Sequence, residues 1–298
     1  MPAHESRPEA AREPLQGGRP LQRKDLGEGL IVWQSSLLLE HGVTHAFTSR
    51  HGGCSTGPRA TLDLAGRGSR EGEALAQAET NLNRVRKRLD IPEVTRTLLL
   101  HQVHGASIHH DDGTPMSWPP PKADILVSAH PDALLMVRVA DCMPILIHDP
   151  HSGAVAAVHS GWRGTVARAP RAAAMALMTG HQADPSDLIA AIGPAIGTSA
   201  FEVGEEVAEA FRAEDMGTHV HQGQEKPHID LFGAVWEDLV GAGLQPGNID
   251  GAPLCTRSNV EDCFSYRRDG PDGGRMAAVI LPPEVPRLQG GNQKSTAK

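Results

Sequence analysis

Three residues in one stretch of the chain carry side chains that bind metals or act as nucleophiles: His104 in HQVHG, Cys142 in VADCMP and His159 in AVHSGWRG. One thiolate and two imidazoles suit a zinc ion that keeps its fourth position for water or substrate, whereas a structural zinc site fills all four positions with protein ligands. Copper also accepts a His2Cys set and is the less favoured metal. A multicopper cluster needs several His-x-His pairs. The chain has one, His219 and His221, in a polar stretch that reads as surface, as do His109 and His110 beside Asp111 and Asp112. A metal-free thiol hydrolase or deamidase fits the same residues, with Cys142 as nucleophile, His159 as its base and Asp141 or another carboxylate orienting the ring. The separations of 38 and 17 residues form no local ligand motif. A small buried cysteine and two hydrogen-bonded histidines leave the same pattern.

Arginines beside glycines supply candidate anion contacts. Arg163 in GWRG stands at the entrance to a helix, where free amides favour negative charge. Arg50 in TSRHGG precedes a glycine pair that lets backbone approach a ligand closely. Arg267 and Arg268 in FSYRRDG form a further candidate. A P-loop, a GxGxxG fingerprint, a GxSxG elbow and the HxE with PCxxC pattern of nucleobase deaminases are all missing from the sequence.

These residues must be held by the elements around them. Short β-like runs at Leu30–Gln34, Thr44–Thr48, Thr97–Val103, Leu134–Val139, Ile145–His148, Ala154–His159 and Ala190–Ile192 alternate with helical patterns. The clearest helix runs from Glu71 to Leu89, with Leu75, Ala78, Leu82, Val85 and Leu89 on one stripe and Ser69 and Glu71 suiting its start. A second spans about Thr165 to Met178 and contains Pro170, which is tolerated in a first turn and kinks a helix elsewhere. A third runs to Leu239 with Asp230 as its cap. The order predicts an α/β (α+β) fold, a single layered domain with mixed sheets flanked by helices. Residues 26–283 form that domain, and residues 1–25 and 284–298, rich in Pro, Gly and charge, read as flexible tails. His104, Cys142 and His159 then lie where strands run out, which is where open sheets place their sites.

Composition narrows the partner. Aromatic residues make up 3% of the chain, with one tyrosine, Tyr266, and the net charge is −8, so neither base stacking nor phosphate-backbone attraction favours nucleic acid. Four cysteines without a CxxC pair argue for reduced thiols rather than a secreted disulfide scaffold. The first twenty residues lack a signal-peptide core, and Ala172–Met178, the longest clean apolar stretch, is too short to span a bilayer. The expectation is a cytoplasmic protein, monomer or homodimer, acting on a small molecule and not on a membrane.

The blocks TSRHGGCSTG, HQVHG, KADILVS, VADCMPILIHDP, AVAAVHSGWRGTV, AAIGPAIGTSAFEVGEEV, IDLFGAV, LCTRSN and FSYRRDGPDGGRMAAVI fall in order over roughly residues 44–281. Together they resemble the family once labelled multicopper polyphenol oxidases or laccase-domain proteins and now described as purine nucleoside phosphorylases with adenosine deaminase activity; some relatives are called peptidoglycan editing factors. The resemblance implies zinc on His104, Cys142 and His159 and a fold related to cysteine-hydrolase-like toxins. It also implies phosphorolysis of adenosine, inosine, guanosine and methylthioadenosine, together with deamination of adenosine. In such a reaction Arg50 or Arg163 would anchor phosphate, Cys142 would be indispensable, and Asp141 or Glu202 would protonate the leaving group. The chain departs from the family pattern at Cys54, Asp63, Phe201 and Cys263. Asp63 bears on substrate contacts, and neither Cys54 nor Cys263 is expected to bind metal.

Overall fold

Apolar runs without alternation, such as ALLMVRV and MPILIH, belong in strands covered on both faces, and the computed structural model, which describes residues 18–68, 72–251 and 253–284, puts them there. One six-stranded sheet has the order β1 (Gln22–Asp25), β2 (Ile31–Gln34), β3 (Thr44–Thr48), β14 (Met276–Leu281), β7 (Ala133–Val139), β4 (Arg96–Leu98). The other runs β13 (Ile249–Gly251), β10 (Ile189–Ile192), β8 (Met143–His148), β9 (Val155–Ser160), β6 (Ile125–Ser128), β5 (Ile108–His110). Both sheets are mixed: β4 with β7, β13 with β10 and β5 with β6 pair parallel, and the remaining pairs are antiparallel. A two-stranded ribbon, β11 (Val220–His221) with β12 (His228–Ile229), stands apart.

Period-two side-chain placement sorts each central strand between two cores. On β7, Leu135 and Val137 face the layer between the sheets, where they meet Leu146 of β8 and Ala157 of β9. Leu134 and Met136 face outward, against Leu82 and Val85 of α2 (Glu73–Arg88). On the far side, Ile145, Ile147, Ala156 and Val158 pack under α4 (Ala169–His181), α5 (Glu205–Ala213) and α6 (Leu231–Gly241). The result is helix, sheet, sheet, helix: an α/β fold with two mixed sheets flanked by helices.

Several boundaries differ from the sequence expectation. β1 falls in the stretch read as an N-terminal tail; an edge strand whose residues are nearly all exposed has no hydrophobic period to reveal it. Residues 1–17, 69–71 and 285–298 lie outside the described residues, and with them the rest of the tails and the Ser69/Glu71 helix start; α2 is capped instead by Gly72, at φ 105°. The helix expected over 165–178 is two helices, α3 (Trp162–Val166) and α4, because Arg168 adopts a left-handed φ of 60° and Pro170 opens the second. β4 ends at Leu98, not Val103. Asp230 does cap α6, accepting from the Gly233 amide at 2.9 Å.

Candidate metal centre and cavity

The second passage from the first sheet to the second is the three-residue link Ala140–Cys142 between β7 and β8. It is a sharp turn, with Asp141 at φ 88°. The Asp141 carboxylate clasps the turn to the C-terminal part of the chain, accepting from Thr256 Oγ1 at 2.5 Å, Ser265 Oγ at 3.1 Å and the Arg267 amide at 2.7 Å. Cys142 is thereby delivered to the head of β8, near His159, the penultimate residue of β9, which pairs with Pro144.

His104 arrives differently. Past β4 the chain leaves the ladder, and the Gln102 side chain takes the place of a strand partner: its amide donates to the Arg138 carbonyl at 2.8 Å and accepts from the Arg138 N–H at 2.9 Å. His104 follows at φ 63°. The ligand atoms of His104, Cys142 and His159 all lie within 4.8 Å of one another, and theirs is the one His/Cys/Asp/Glu group among the described residues able to hold a metal ion. The two imidazoles meet edge to face with ring centroids 4.9 Å apart.

Asp124, fully buried before β6, ties the two histidines together. One oxygen accepts from His159 Nδ1 at 2.8 Å and the His104 amide at 2.9 Å; the other accepts from the Gly105 amide at 2.7 Å and the Val103 amide at 3.2 Å. With Nδ1 committed to the carboxylate, His159 presents Nε2 as its ligand atom. Gly161 leaves the room: a Cβ there would stand 2.8 Å from Cys142 Sγ and 3.4 Å from His104 Cδ2.

Electrostatics favour a thiolate. Burial opposes it, but hydrogen bonds and charge from His104 and His159 outweigh burial and hold the Cys142 thiol at about 6. Burial likewise opposes charge on His159, yet Asp124 and Cys142 raise it to about 9. A soft anionic sulfur beside two imidazoles, one braced by a carboxylate, is a donor set that fits zinc.

The trio opens into a cavity of about 730 Å³, also lined by His101, Arg138, Asp141, Phe201, Tyr266, Arg267 and Arg275. Arg267 lies over the Phe201 ring at 5.5 Å and Arg275 over Tyr266 at 5.3 Å, so two cation–aromatic pairs form part of the wall. Asp63 does not line the cavity, but its carboxylate accepts from the Arg275 amide at 2.8 Å.

Of the arginines singled out in the sequence, Arg267 lines the cavity, whereas Arg50, Arg163 and Arg268 do not. Arg50 is spent on the carbonyls of Ala60 and Val260 and sits over Phe264. Arg163 is exposed and stacks on Trp162 at 4.2 Å. Arg268 bonds Asp269 and three backbone carbonyls. Glu202 is outside the cavity, 3.4 Å from Lys226, and offers its carbonyl to Arg267. Cys54 and Cys263 stay away from the trio, and burial pushes the Cys263 thiol up to about 12. His219, read as surface, is buried against Glu237 at 2.7 Å. Sequence reasoning passed over Asp124, Gln102, His101, Arg138 and Arg275. The signal for Arg138 was a lone charge inside the apolar run LLMVRV.

The family model described as multi-copper polyphenol oxidoreductase laccase matches residues 44–282. A Deinococcus radiodurans protein named purine nucleoside phosphorylase is 38% identical over 256 residues, covering 86% of this chain and 94% of the relative. Escherichia coli K12 purine nucleoside phosphorylase YfiH is 34% identical, covering 80% and 93%. Among solved structures, YlmD from Geobacillus stearothermophilus superimposes with a TM-score of 0.78 at 28% identity, over 89% of this chain and 100% of that one.

Proposed function

The chain belongs to the multi-copper polyphenol oxidoreductase laccase family, and from that premise we propose that it is a zinc-dependent enzyme that splits purine nucleosides with phosphate. The observation that carries this reading is one cavity, about 730 Å³, in which the His104, Cys142 and His159 trio shares a wall with Arg138, Arg267 and Arg275. Its size suits a nucleoside with phosphate, within the range of about 300–1,000 Å³ typical of small-molecule sites. The name borne by relatives of 38% and 34% identity supports the same substrate class.

Phosphate oxygen attacks C1′ of the ribose as the bond to the purine nitrogen breaks. Arg138, Arg267 and Arg275, rather than Arg50 or Arg163, take up the phosphate and hold it in line. Zinc held by the trio would supply Lewis acidity toward an oxygen or nitrogen of the bound nucleoside. Asp124 keeps His159 in the ligating tautomer, and the Asp141 clasp fixes the turn that bears Cys142. The substrates are adenosine, inosine, guanosine and methylthioadenosine, and adenosine is also deaminated to inosine in the same cavity.

The test is elemental analysis of the purified protein beside a product assay with each nucleoside, with and without phosphate. The expected result is about one zinc per chain, set by the single trio, and release of free base that depends on phosphate. Inosine formed from adenosine without phosphate reports deamination. Cys142→Ser is expected to lose metal and turnover together, and full turnover in that variant without metal overturns the reading.

One observation favours a second reading. Asp124, His159 and Cys142 form a carboxylate–imidazole–thiol chain with the sulfur held near 6, the arrangement of a thiol hydrolase. Such an enzyme survives chelators and is killed by iodoacetamide; the metal enzyme loses activity to chelators.

A further inference from the structure

Departure of a purine from ribose leaves an electron pair on the ring, and the base is a poor leaving group until a proton meets it. The cavity wall offers few groups that can bring one. The trio is committed to its own sulfur, carboxylate and metal contacts. Asp141 Oδ1 and Oδ2 already accept three hydrogen bonds, so both oxygens are occupied in clasping the turn. Glu202 lies outside the cavity beside Lys226. Tyr266 lines it too, but its ring lies 5.3 Å beneath the Arg275 guanidinium, on the side assigned to phosphate.

His101 remains. It lines the same cavity, and its backbone is anchored on both sides of the ring, by a hydrogen bond from its N–H to the Pro121 carbonyl at 2.9 Å and by the bridge to Lys122. Its ring has no hydrogen-bond partner among the described residues, and it is exposed, so it can exchange protons with solvent between turnovers. Imidazole is the side chain most often used for proton transfer at neutral pH.

We propose that His101 is the general acid that protonates the departing purine, an assignment that rests on the phosphorolysis reading above. As phosphate oxygen bonds to C1′, the C1′–N9 pair passes into the purine, and the His101 imidazolium gives its proton to N7. The base leaves neutral, and His101 regains a proton from hydrogenphosphate or solvent.

Guanosine and 7-methylguanosine separate this role from a structural one. The methylated base is already cationic and leaves without protonation. With His101→Gln, phosphate-dependent kcat on guanosine is expected to fall about 10²-fold or more, in line with a general acid's worth. On 7-methylguanosine it stays within a few-fold of wild type, with unchanged metal content and melting temperature. Equal losses on both substrates, or no loss on guanosine, overturn the assignment. A wild-type protein that cleaves neither substrate overturns the phosphorolysis reading itself, and this proposal falls with it.

Discussion

Four donors converge on the Asp124 carboxylate: the His159 ring and the amides of Val103, His104 and Gly105. Burial makes that charge costly, but His159 and the amides more than repay it and hold Asp124 below the usual carboxylate range. Asparagine keeps one acceptor oxygen and sets an NH2 against two of these donors. Asp124→Asn is therefore expected to weaken metal binding about 10–100-fold, the usual effect of losing a carboxylate behind a ligating histidine. Competition with a chromogenic chelator measures it, and unaltered affinity would mean that His159 is oriented by something else. The three ligands were legible in the sequence because thiol and imidazole are scarce, chemically distinctive groups placed at strand ends. Asp124 was not. In KADILVS it looks like a polar residue closing a turn before a strand, and its partners lie up to 35 residues away. The arginines show the converse. Arg50 and Arg163 have suggestive glycine neighbours, yet neither lines the cavity, while Arg138 reaches it from within β7 and Arg275 from the residue before β14.

Elements with two buried faces were the easiest to read: β3 matches its expected bounds, and β2, β7, β8, β9 and β10 fall within two residues of theirs. Those missed are edge or short strands, β1, β5, β11, β12 and β13, whose residues need no apolar pattern. β6 and β14 were missed inside motifs quoted for their polar ends. β4 was read too long because Leu99 and Leu100 continue its apolar run, although the Gln102 side chain has already replaced the ladder. The parallel edge formed by β4 is fastened by Arg96, which bonds Asp111 beyond β5 in the second sheet and Asp132 before β7 in the first. Asp111 is almost wholly buried, with a side-chain exposure of 3%. Burial works against its charge, but Arg96 and Ser128 keep it below the ordinary range. Removing the guanidinium strands that carboxylate between the sheets. Arg96→Ala is expected to cost about 3 kcal/mol or more, as for a broken buried pair. Arg212→Ala, which opens the exposed pair with Glu205, is expected to cost only a small fraction of that, as exposed pairs do. Urea titrations of both variants check the contrast, and equal losses would show that the inter-sheet strap adds nothing to an ordinary ion pair.

The two sheets form one body whose stability is tied to pH through a neutral imidazole buried in each. In the first sheet, His45 Nδ1 donates to the Val43 carbonyl at 2.9 Å and Nε2 accepts from the Ser35 amide at 2.8 Å, so the ring is fixed in one tautomer with no place for a second proton. Burial lowers its pKa to about 4. In the second sheet, His148 of β8 is lowered to about 4, again by burial first. A histidine in the unfolded chain titrates near 6.5. Above that value both states are neutral and neither residue affects stability. Between 6.5 and 4 the unfolded chain binds protons that the folded chain refuses, so stability falls as pH falls, and below 4 the loss is complete. Each tenfold difference in proton affinity between the folded and unfolded ring is worth about 1.4 kcal/mol, so each residue withdraws about 3 kcal/mol. That is a large part of the 5–15 kcal/mol or so that holds a domain together. Metal release in acid would blur the result, so the measurement belongs in the Cys142→Ser background. There, urea unfolding at pH 7 and pH 4.5 is expected to show a steep loss, and adding His45→Gln to recover about half of it. The carboxylates held low by their partners take up protons mostly below this window, so they add little to the loss measured at pH 4.5. A flat profile between pH 7 and 4.5, or an unchanged slope with His45→Gln, would mean that the buried rings accept protons in the folded state.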